Sequence, residues 1–144
     1  GDLLDSAVAV LAKSTTANLG HRVGGQPPFQ TAAAVEGRPL SHYSTQRGRE
    51  VAGMCRGVGL TPAAFHAQDN SGAILSLSGV ASVEGDDEFF AIDGDSGSLV
   101  FDERKAVVGT IVGRASGANT AFVLPVLHVQ SVVGPQLYAA FFQP

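Results

Sequence analysis

The residues with the clearest capacity for chemistry are five in a row, Gly94-Asp95-Ser96-Gly97-Ser98, followed by the apolar run Leu99-Val100-Phe101. A serine between two glycines can approach a substrate carbonyl closely, because its neighbours are small. Glycines also permit backbone dihedrals that aim two N–H groups at one point, which makes an oxyanion hole. The alternative is a hairpin turn, since Gly, Asp and Ser dominate turns for conformational reasons alone. The five residues by themselves leave both interpretations open.

A serine hydroxyl is a weak nucleophile and needs a base, usually a histidine that a carboxylate orients. The sequence contains four histidines, His21, His42, His66 and His128. For His42 and His128 we expect surface or packing roles rather than a role as the base. The acidic run Asp86-Asp87-Glu88 is typical of a solvated turn. No His/Cys/Asp spacing suggests a transition metal, and we expect neither a metal nor a cofactor.

The elements that must position the serine are short apolar runs between scattered glycines and prolines, a pattern typical of an all-β barrel or sandwich. The predicted strands are Ser6–Leu11, Gln30–Val35, Glu50–Cys55, Ala73–Val83, Phe89–Ile92, Ser98–Phe101, Ala106–Val112 and Ala121–Leu124. Apolar residues at helical spacing after Pro125 predict a short packing helix, whose first turn the proline suits. The glycine- and proline-rich segment Gly20–Pro28 is the best candidate for a linker.

Length and composition exclude several classes of protein. A chain of 144 residues is one compact domain or two small lobes, and 44% hydrophobic against 15% charged residues argues against disorder. A net charge of −4 and a pI near 5.4 argue against a nucleic-acid surface. The sequence has no apolar run of membrane-spanning length and no visible signal peptide. The single cysteine, Cys55, allows no internal disulfide and is expected to be buried. Because neither a signal peptide nor a disulfide is visible, a cytoplasmic location is slightly favoured.

The sequence around Ser96 resembles the chymotrypsin/trypsin-like serine peptidases. Gly94-Asp95-Ser96-Gly97 matches the nucleophile motif of that family, with Ser98 where most animal members carry a second glycine. The following run Ala106–Val112 resembles the strand that lines the primary specificity pocket, and Pro125–Val133 resembles the closing helix. Gln46–Gly53 is similar to the strand pair that opens the second barrel in bacterial members.

The acid residue of the family's triad has a counterpart near the start of the chain. Leu4-Asp5-Ser6-Ala7 and the apolar residues after it resemble the segment in which Asp5 would be the orienting carboxylate. Asp5 lies far enough upstream of Ser96 for most of a barrel to fit between them, whereas Asp69 lies too close. A helix cap or a solvated charge is the alternative for Asp5. The family's histidine precedes this aspartate, and no histidine precedes Asp5.

The resemblance implies an all-β fold, namely the chymotrypsin-like six-stranded β-barrel that forms the C-terminal half of a double-barrel serine protease, with a short C-terminal helix. Residues 1–19 would end the N-terminal barrel and carry the acid residue, residues 20–45 would link the barrels, and residues 46–144 would form the C-terminal barrel. We expect a peptide or protein substrate and, as partner, a complementary N-terminal fragment that supplies the histidine. Without that fragment, turnover should be inefficient.

The same resemblance gives each residue of the motif a role. Ser96 would be the acyl-forming nucleophile, Asp5 would orient the histidine, and the backbone N–H groups of Gly94 and Ser96 would form the oxyanion hole. Asp95 would support the oxyanion loop by pairing with a cation, either a nearby arginine or an amine freed by processing.

The specificity pocket would have Phe90 at its floor, where an aromatic ring cannot pair with a lysine or arginine side chain. Val112, Gly113 and Arg114 would form its wall, and Arg114 would either favour an acidic residue or simply be an exposed arginine. Two other hypotheses stay open. One is an inactive pseudoprotease that binds peptides or partner proteins through a barrel edge. The other is an all-β binding or capsid-like module in which the motif is only a turn.

Overall fold

The computed structural model describes residues 28–62, 65–66, 74–75, 78–115 and 117–143. In these ranges the elements are, in chain order, β1 (Phe29–Gln30), β2 (Pro39–Ser44), β3 (Arg49–Leu60), β4 (Phe65–His66), β5 (Ile74–Leu75), β6 (Val80–Gly85), β7 (Leu99–Asp102), β8 (Val107–Arg114), β9 (Thr120–Pro125), α1 (Leu127–Val133), α2 (Pro135–Phe141) and β10 (Phe142–Gln143). The described part of the chain is mainly β-structure, as the sequence predicts.

Six strands close into a barrel in the order β2-β3-β6-β9-β8-β7, and every neighbouring pair is antiparallel. Strand β2 closes it, because Leu40 lies opposite Gly53 of β3 on one side and Asp102 of β7 on the other. Alternate residues along β2 are buried, which is the period of a strand with one face inside a barrel. The predicted six-stranded barrel is confirmed.

Small and β-branched side chains fill the barrel. Its core consists of Leu40, Val51, Cys55, Ala81, Val83, Phe90, Ala91, Val100, Val108, Ile111, Ala121 and Val123. Cys55 is fully buried, and burial raises the pKa of its thiol. At Gly109, a β-carbon would lie 2.1 Å from the Leu124 carbonyl oxygen, so the contact between β8 and β9 requires glycine there. The Gly-Asp-Ser-Gly motif leads directly into β7, one wall of the barrel.

A second apolar cluster lies where the two ends of the described chain meet. Strand β1 pairs in parallel with β10, and Phe29 packs edge-on against Phe101 at a ring separation of 6.2 Å. Val107, Val126 and Tyr138 complete this cluster. The helix predicted over Pro125–Val133 is present as α1, and Gly134, with a φ of 83°, separates it from α2, which was not predicted. Within the described ranges, no helix is long and apolar enough to cross a membrane.

The structure differs from the sequence-based assignment at four places. The predicted strand Gln30–Val35 is a strand only at Gln30, the end of β1, with an isolated bridge at Thr31. The segment Phe89–Ile92, predicted as a strand, is a loop. The predicted strand Ala73–Val83 contains only β5 and the start of β6 among its described residues. The range 20–45, predicted as a linker, includes β2, so the barrel begins before residue 46. The predicted strand Ser6–Leu11 and the range 1–19 lie outside the described residues.

Candidate active site

The Gly-Asp-Ser-Gly motif forms a tight loop at the start of β7. Gly94 and Gly97 have φ angles of 95° and 89°, a backbone region that residues with side chains rarely adopt. Ser96 stands between them and is exposed. A β-carbon at Gly97 would meet no atom within 4 Å, so the space next to the serine is open. The loop therefore presents Ser96 to solvent in a backbone conformation that its two glycines permit.

Backbone hydrogen bonds fix the shape of this loop and attach it to the barrel. The Asp95 N–H donates to the Ile92 carbonyl at 3.0 Å, and the Ser98 N–H donates to the Asp95 carbonyl at 3.1 Å. Gly97 and Ser98 then exchange hydrogen bonds with Ile111 of β8, at 2.7 and 3.0 Å. Within the described part of the chain, the N–H groups of Gly94 and Ser96 donate to no acceptor.

Asp95 turns its carboxylate into the protein, where it is fully buried. Oδ1 accepts a hydrogen bond from the Ser44 hydroxyl at 2.8 Å. Oδ2 accepts from Nη2 of Arg47 and from the Ile92 N–H, both at 3.0 Å. Burying a carboxylate costs free energy unless a cation pairs with it and its oxygens are hydrogen-bonded, and both conditions hold here. Of the two cations considered for Asp95, the one that contacts it is an arginine.

Arg47, in the turn between β2 and β3, joins Asp95 to the segment that precedes the motif. Its Nε donates to the Ser44 hydroxyl at 3.1 Å, Nη1 to the Phe89 carbonyl at 2.6 Å, and Nη2 to the Phe90 carbonyl at 2.9 Å. Only 14% of the side chain is exposed. The planar guanidinium can serve these acceptors together because its donors point in fixed, diverging directions. Arg47 thereby holds both ends of the loop from Phe89 to Asp95.

The same loop has a second attachment on its other side. The Asn119 side chain donates through Nδ2 to the Gly85 carbonyl at 2.9 Å, and its Oδ1 accepts from the Phe90 N–H at 3.2 Å. The apolar run Phe89–Ile92 is thus held by side chains and not by a neighbouring strand. This is why it forms a loop although its composition favours a strand.

His42 lies under this loop, on the inner face of β2. Its ring is fully buried, and Nε2 is 2.6 Å from the Phe90 carbonyl oxygen. Because a carbonyl only accepts, Nε2 carries the hydrogen. The ring centroid is 4.7 Å from that of Phe90, and Nε2 is 4.0 Å from Oδ2 of Asp95. Burial lowers the pKa of His42, while the Phe90 carbonyl and Asp95 partly oppose that effect. His42 thus supports the loop from inside the barrel.

The residues predicted to form the specificity pocket lie in different environments. Phe90 is 1% exposed, and its ring belongs to the barrel core. Val112 is half-buried against Val80 and Leu124, next to Gly113 on β8.

Arg114 ends β8, and its Nη2 lies 3.2 Å from Oδ1 of Asp93, an almost fully exposed residue beside Gly94. The structure therefore brings Arg114 close to the loop that contains the Gly-Asp-Ser-Gly motif.

Asp5, the predicted orienting carboxylate, lies outside the described residues. Sequence reasoning anticipated a cation for Asp95 but did not identify Arg47, and it gave no role to Ser44 or Asn119. Among the described residues, no group of three or more His, Cys, Asp or Glu side chains could hold a metal ion.

The sequence matches no protein-family model and no curated protein. The structure does match solved structures. A glutamic acid-specific serine protease matches with a TM-score of 0.56 and 17% identity, over 83% of this chain and 60% of that one. Protease A of Thermobifida fusca matches with a TM-score of 0.54 and 16% identity, over 77% and 54%. Chymotrypsin of Cellulomonas bogoriensis matches with a TM-score of 0.53 and 17% identity, over 72% and 51%.

The chain spans between half and two thirds of the length of these proteins. At such low identity a match establishes the fold. The described part of this chain has the fold of the chymotrypsin-like serine proteases.

Proposed function

We propose that this chain is the C-terminal portion of a chymotrypsin-fold serine endopeptidase that hydrolyses peptide bonds through an acyl-enzyme on Ser96. One observation carries the proposal. Ser96 is exposed in a loop whose aspartate is buried and bonded to Arg47, Ser44 and the Ile92 N–H. A turn that only reverses the chain keeps its Asp in water, because burying a carboxylate without need costs free energy. The buried Asp95 thus favours a shaped nucleophile loop over a plain turn.

In this mechanism, Oγ of Ser96 attacks the scissile carbonyl carbon while a histidine takes the hydroxyl proton. The N–H groups of Gly94 and Ser96 donate to the oxyanion, a contribution whose loss typically slows such enzymes about 10²–10³-fold per donor. The histidine returns its proton to the leaving amine, and water then releases the acyl group by the same route. Asp95 and Arg47 touch neither substrate nor proton, and they keep the loop in shape.

We assign the base to a complementary N-terminal portion and its orienting carboxylate to Asp5. His42 cannot serve as the base, because its ring is fully buried and its Nε2–H is engaged by the Phe90 carbonyl. That same observation favours the second candidate function, a pseudoprotease domain that binds a peptide or a partner protein without cleaving it. The two candidates differ in whether Ser96 can be acylated once the upstream segment is present.

Arg114 gives the proposed enzyme a testable preference for acidic substrate residues. Its guanidinium is 38% exposed, and its described partner is Asp93, which is 96% exposed. An ion pair this exposed is weak, so a substrate carboxylate can replace Asp93 at little cost.

A fluorophosphonate probe, which phosphonylates activated serines, tests the proposal. The probe is applied to the chain alone and to the same chain extended by the segment encoded upstream of Gly1. We expect labelling of the extended protein that Ser96→Ala abolishes and that Ser98→Ala, a change at the neighbouring serine, preserves. The proposed hydrolase function would be refuted if an extended protein that folds and contains a histidine upstream of Asp5 took up no probe. The pseudoprotease binding domain would then be the remaining candidate function.

A further inference from the structure

The buried ring of His42 has only one of its two nitrogens bonded. Nε2 donates to the Phe90 carbonyl. Nδ1 is buried and has no hydrogen-bond partner among the described residues. Buried polar atoms in native proteins are nearly always bonded, so an unpaired Nδ1 in the core calls for an explanation.

The groups around this ring would compensate a second positive charge only in part. On the strands that pair with β2, the residues opposite His42 are apolar, Val51 of β3 and Val100 of β7. From the loop, Asp95 faces the ring, with Oδ2 4.0 Å from Nε2. Arg47 already neutralises that carboxylate, at 3.0 Å from the same oxygen. A proton on Nδ1 would therefore place a positive charge inside the barrel that the Phe90 carbonyl, Asp95 and the Tyr43 backbone offset only in part, because burial outweighs them.

The loop is the part of the structure that can yield to such a charge. The β2, β3 and β7 neighbours of the ring are held by ladder hydrogen bonds. The loop that covers the ring is held mainly by side chains, namely Arg47, Asn119 and the Asp95 carboxylate. A protonated ring can therefore reach water most readily if the segment from Phe90 to Asp95 lifts away.

We propose that His42 is a proton-sensitive positioning residue for the nucleophile loop. In its neutral form, the Nε2–H holds the Phe90 carbonyl and the loop stays closed over the ring. When Nδ1 takes up a proton, the loop opens while the six-stranded barrel persists. This inference goes beyond the proposed function, since it concerns the loop whether or not Ser96 is catalytic. If Ser96 is catalytic, the enzyme loses its shaped nucleophile loop in acid.

The direction of the pH dependence follows from the position of the ring. In the opened loop His42 is solvated and titrates near its ordinary pKa of 6.5, whereas burial lowers the pKa in the closed loop. The opened state thus binds more protons in the interval between the two values. The loop has its full stability above pH 6.5 and loses it as the pH falls towards the lower value. Within that interval the opened population rises about tenfold per pH unit.

Amide hydrogen exchange of the full chain, followed by NMR and corrected for the intrinsic rate, measures this opening. The reporters are the N–H groups of Ile92 and Asp95, both of which are bonded within the loop. The reference is the Ala106 N–H, which donates at 2.9 Å to the Asp102 carboxylate in a different turn. As the pH is lowered below 6.5, we expect the protection factors of the two reporters to fall about tenfold per pH unit. The protection factor of the reference amide should stay constant.

Two variants identify the group responsible. His42→Gln keeps an N–H for the Phe90 carbonyl but does not titrate, so the reporters should lose their pH dependence. His128→Gln, which removes the half-buried histidine of α1, should behave as the wild type. The same fall in His42→Gln as in the wild type would refute the proposal.

The imidazole ¹⁵N spectrum of wild-type His42 gives an answer even if His42→Gln does not fold. A protonation midpoint at or above 6.5 would also refute the proposal. Neither measurement depends on probe labelling, so a negative probe experiment counts against the hydrolase alone.

Discussion

Removal of the Arg47 side chain is the most direct test of how the nucleophile loop is held. Asp95 is fully buried and the Arg47 side chain is 14% exposed, so the ion pair is largely withdrawn from water. Breaking a buried pair by removing one partner costs about 3–5 kcal/mol, because the other charge stays buried. The Ser44 hydroxyl and the Ile92 N–H still donate to Asp95 in Arg47→Met. We therefore expect the lower end, a loss of about 3 kcal/mol in the free energy of unfolding.

Urea unfolding of wild-type and variant chains at neutral pH measures this loss. Arg49→Met is the matched control two residues along the chain, at the start of β3, because the Arg49 side chain is exposed and pairs with Glu88 at the surface. That change should have little effect, since exposed ion pairs contribute little. The loss of unfolding free energy in Arg47→Lys should lie between those of the two methionine variants, because an ammonium group keeps the charge but not the planar arrangement of donors. If Arg47→Met costs no more than Arg49→Met, Asp95 does not depend on Arg47 and our account of the loop is wrong.

Three further changes test other contacts by urea or thermal unfolding. Gly109→Ala should destabilise the barrel by about 1–3 kcal/mol, because the new β-carbon meets the Leu124 carbonyl; unchanged stability would refute the close approach of β8 and β9. Lys105→Gly should stabilise by about 1 kcal/mol at most, because Lys105 has a φ of 66°; a loss of stability would contradict strain there. Asp102→Ala should cost about 1–3 kcal/mol, because the Asp102 carboxylate accepts the Ala106 N–H; Asp102→Asn should recover part of it, and no recovery would refute this role.

The barrel was predictable from the sequence because its strands are short apolar runs that glycines punctuate. Strand β2 was the exception. Its inward residues include His42 and Ser44, which do not look like core residues in a sequence. They can be buried because each has a hydrogen-bond partner inside the barrel. His42 donates to the Phe90 carbonyl, and Ser44 donates to the Asp95 carboxylate. A search for apolar alternation passes over such a strand.

The candidate site was predictable where its residues are adjacent in the chain. Gly94, Asp95 and Ser96 form a motif whose residue types suggest chemistry. Arg47 and Asn119 gave no such signal, because each acts on the loop from a distant part of the sequence. A single arginine in a turn resembles any solvated arginine until the fold brings it to a buried carboxylate.

The attachment of the nucleophile loop to the turn between β2 and β3 has a consequence for the order of folding. The β2–β3 hairpin joins neighbouring segments, so only a short loop has to close when it forms. The contacts of Asp95 with Ser44 and Arg47 instead join residues that are 51 and 48 positions apart in the chain. We therefore expect the loop to take its final shape late, after strands β3 to β7 have come together. A nascent or partly folded chain would then expose the Gly-Asp-Ser-Gly sequence without the loop conformation that the contacts of Asp95 hold in the folded barrel. In the proposed enzyme, acylation of Ser96 would thus require the completed folding of this loop as well as the histidine base.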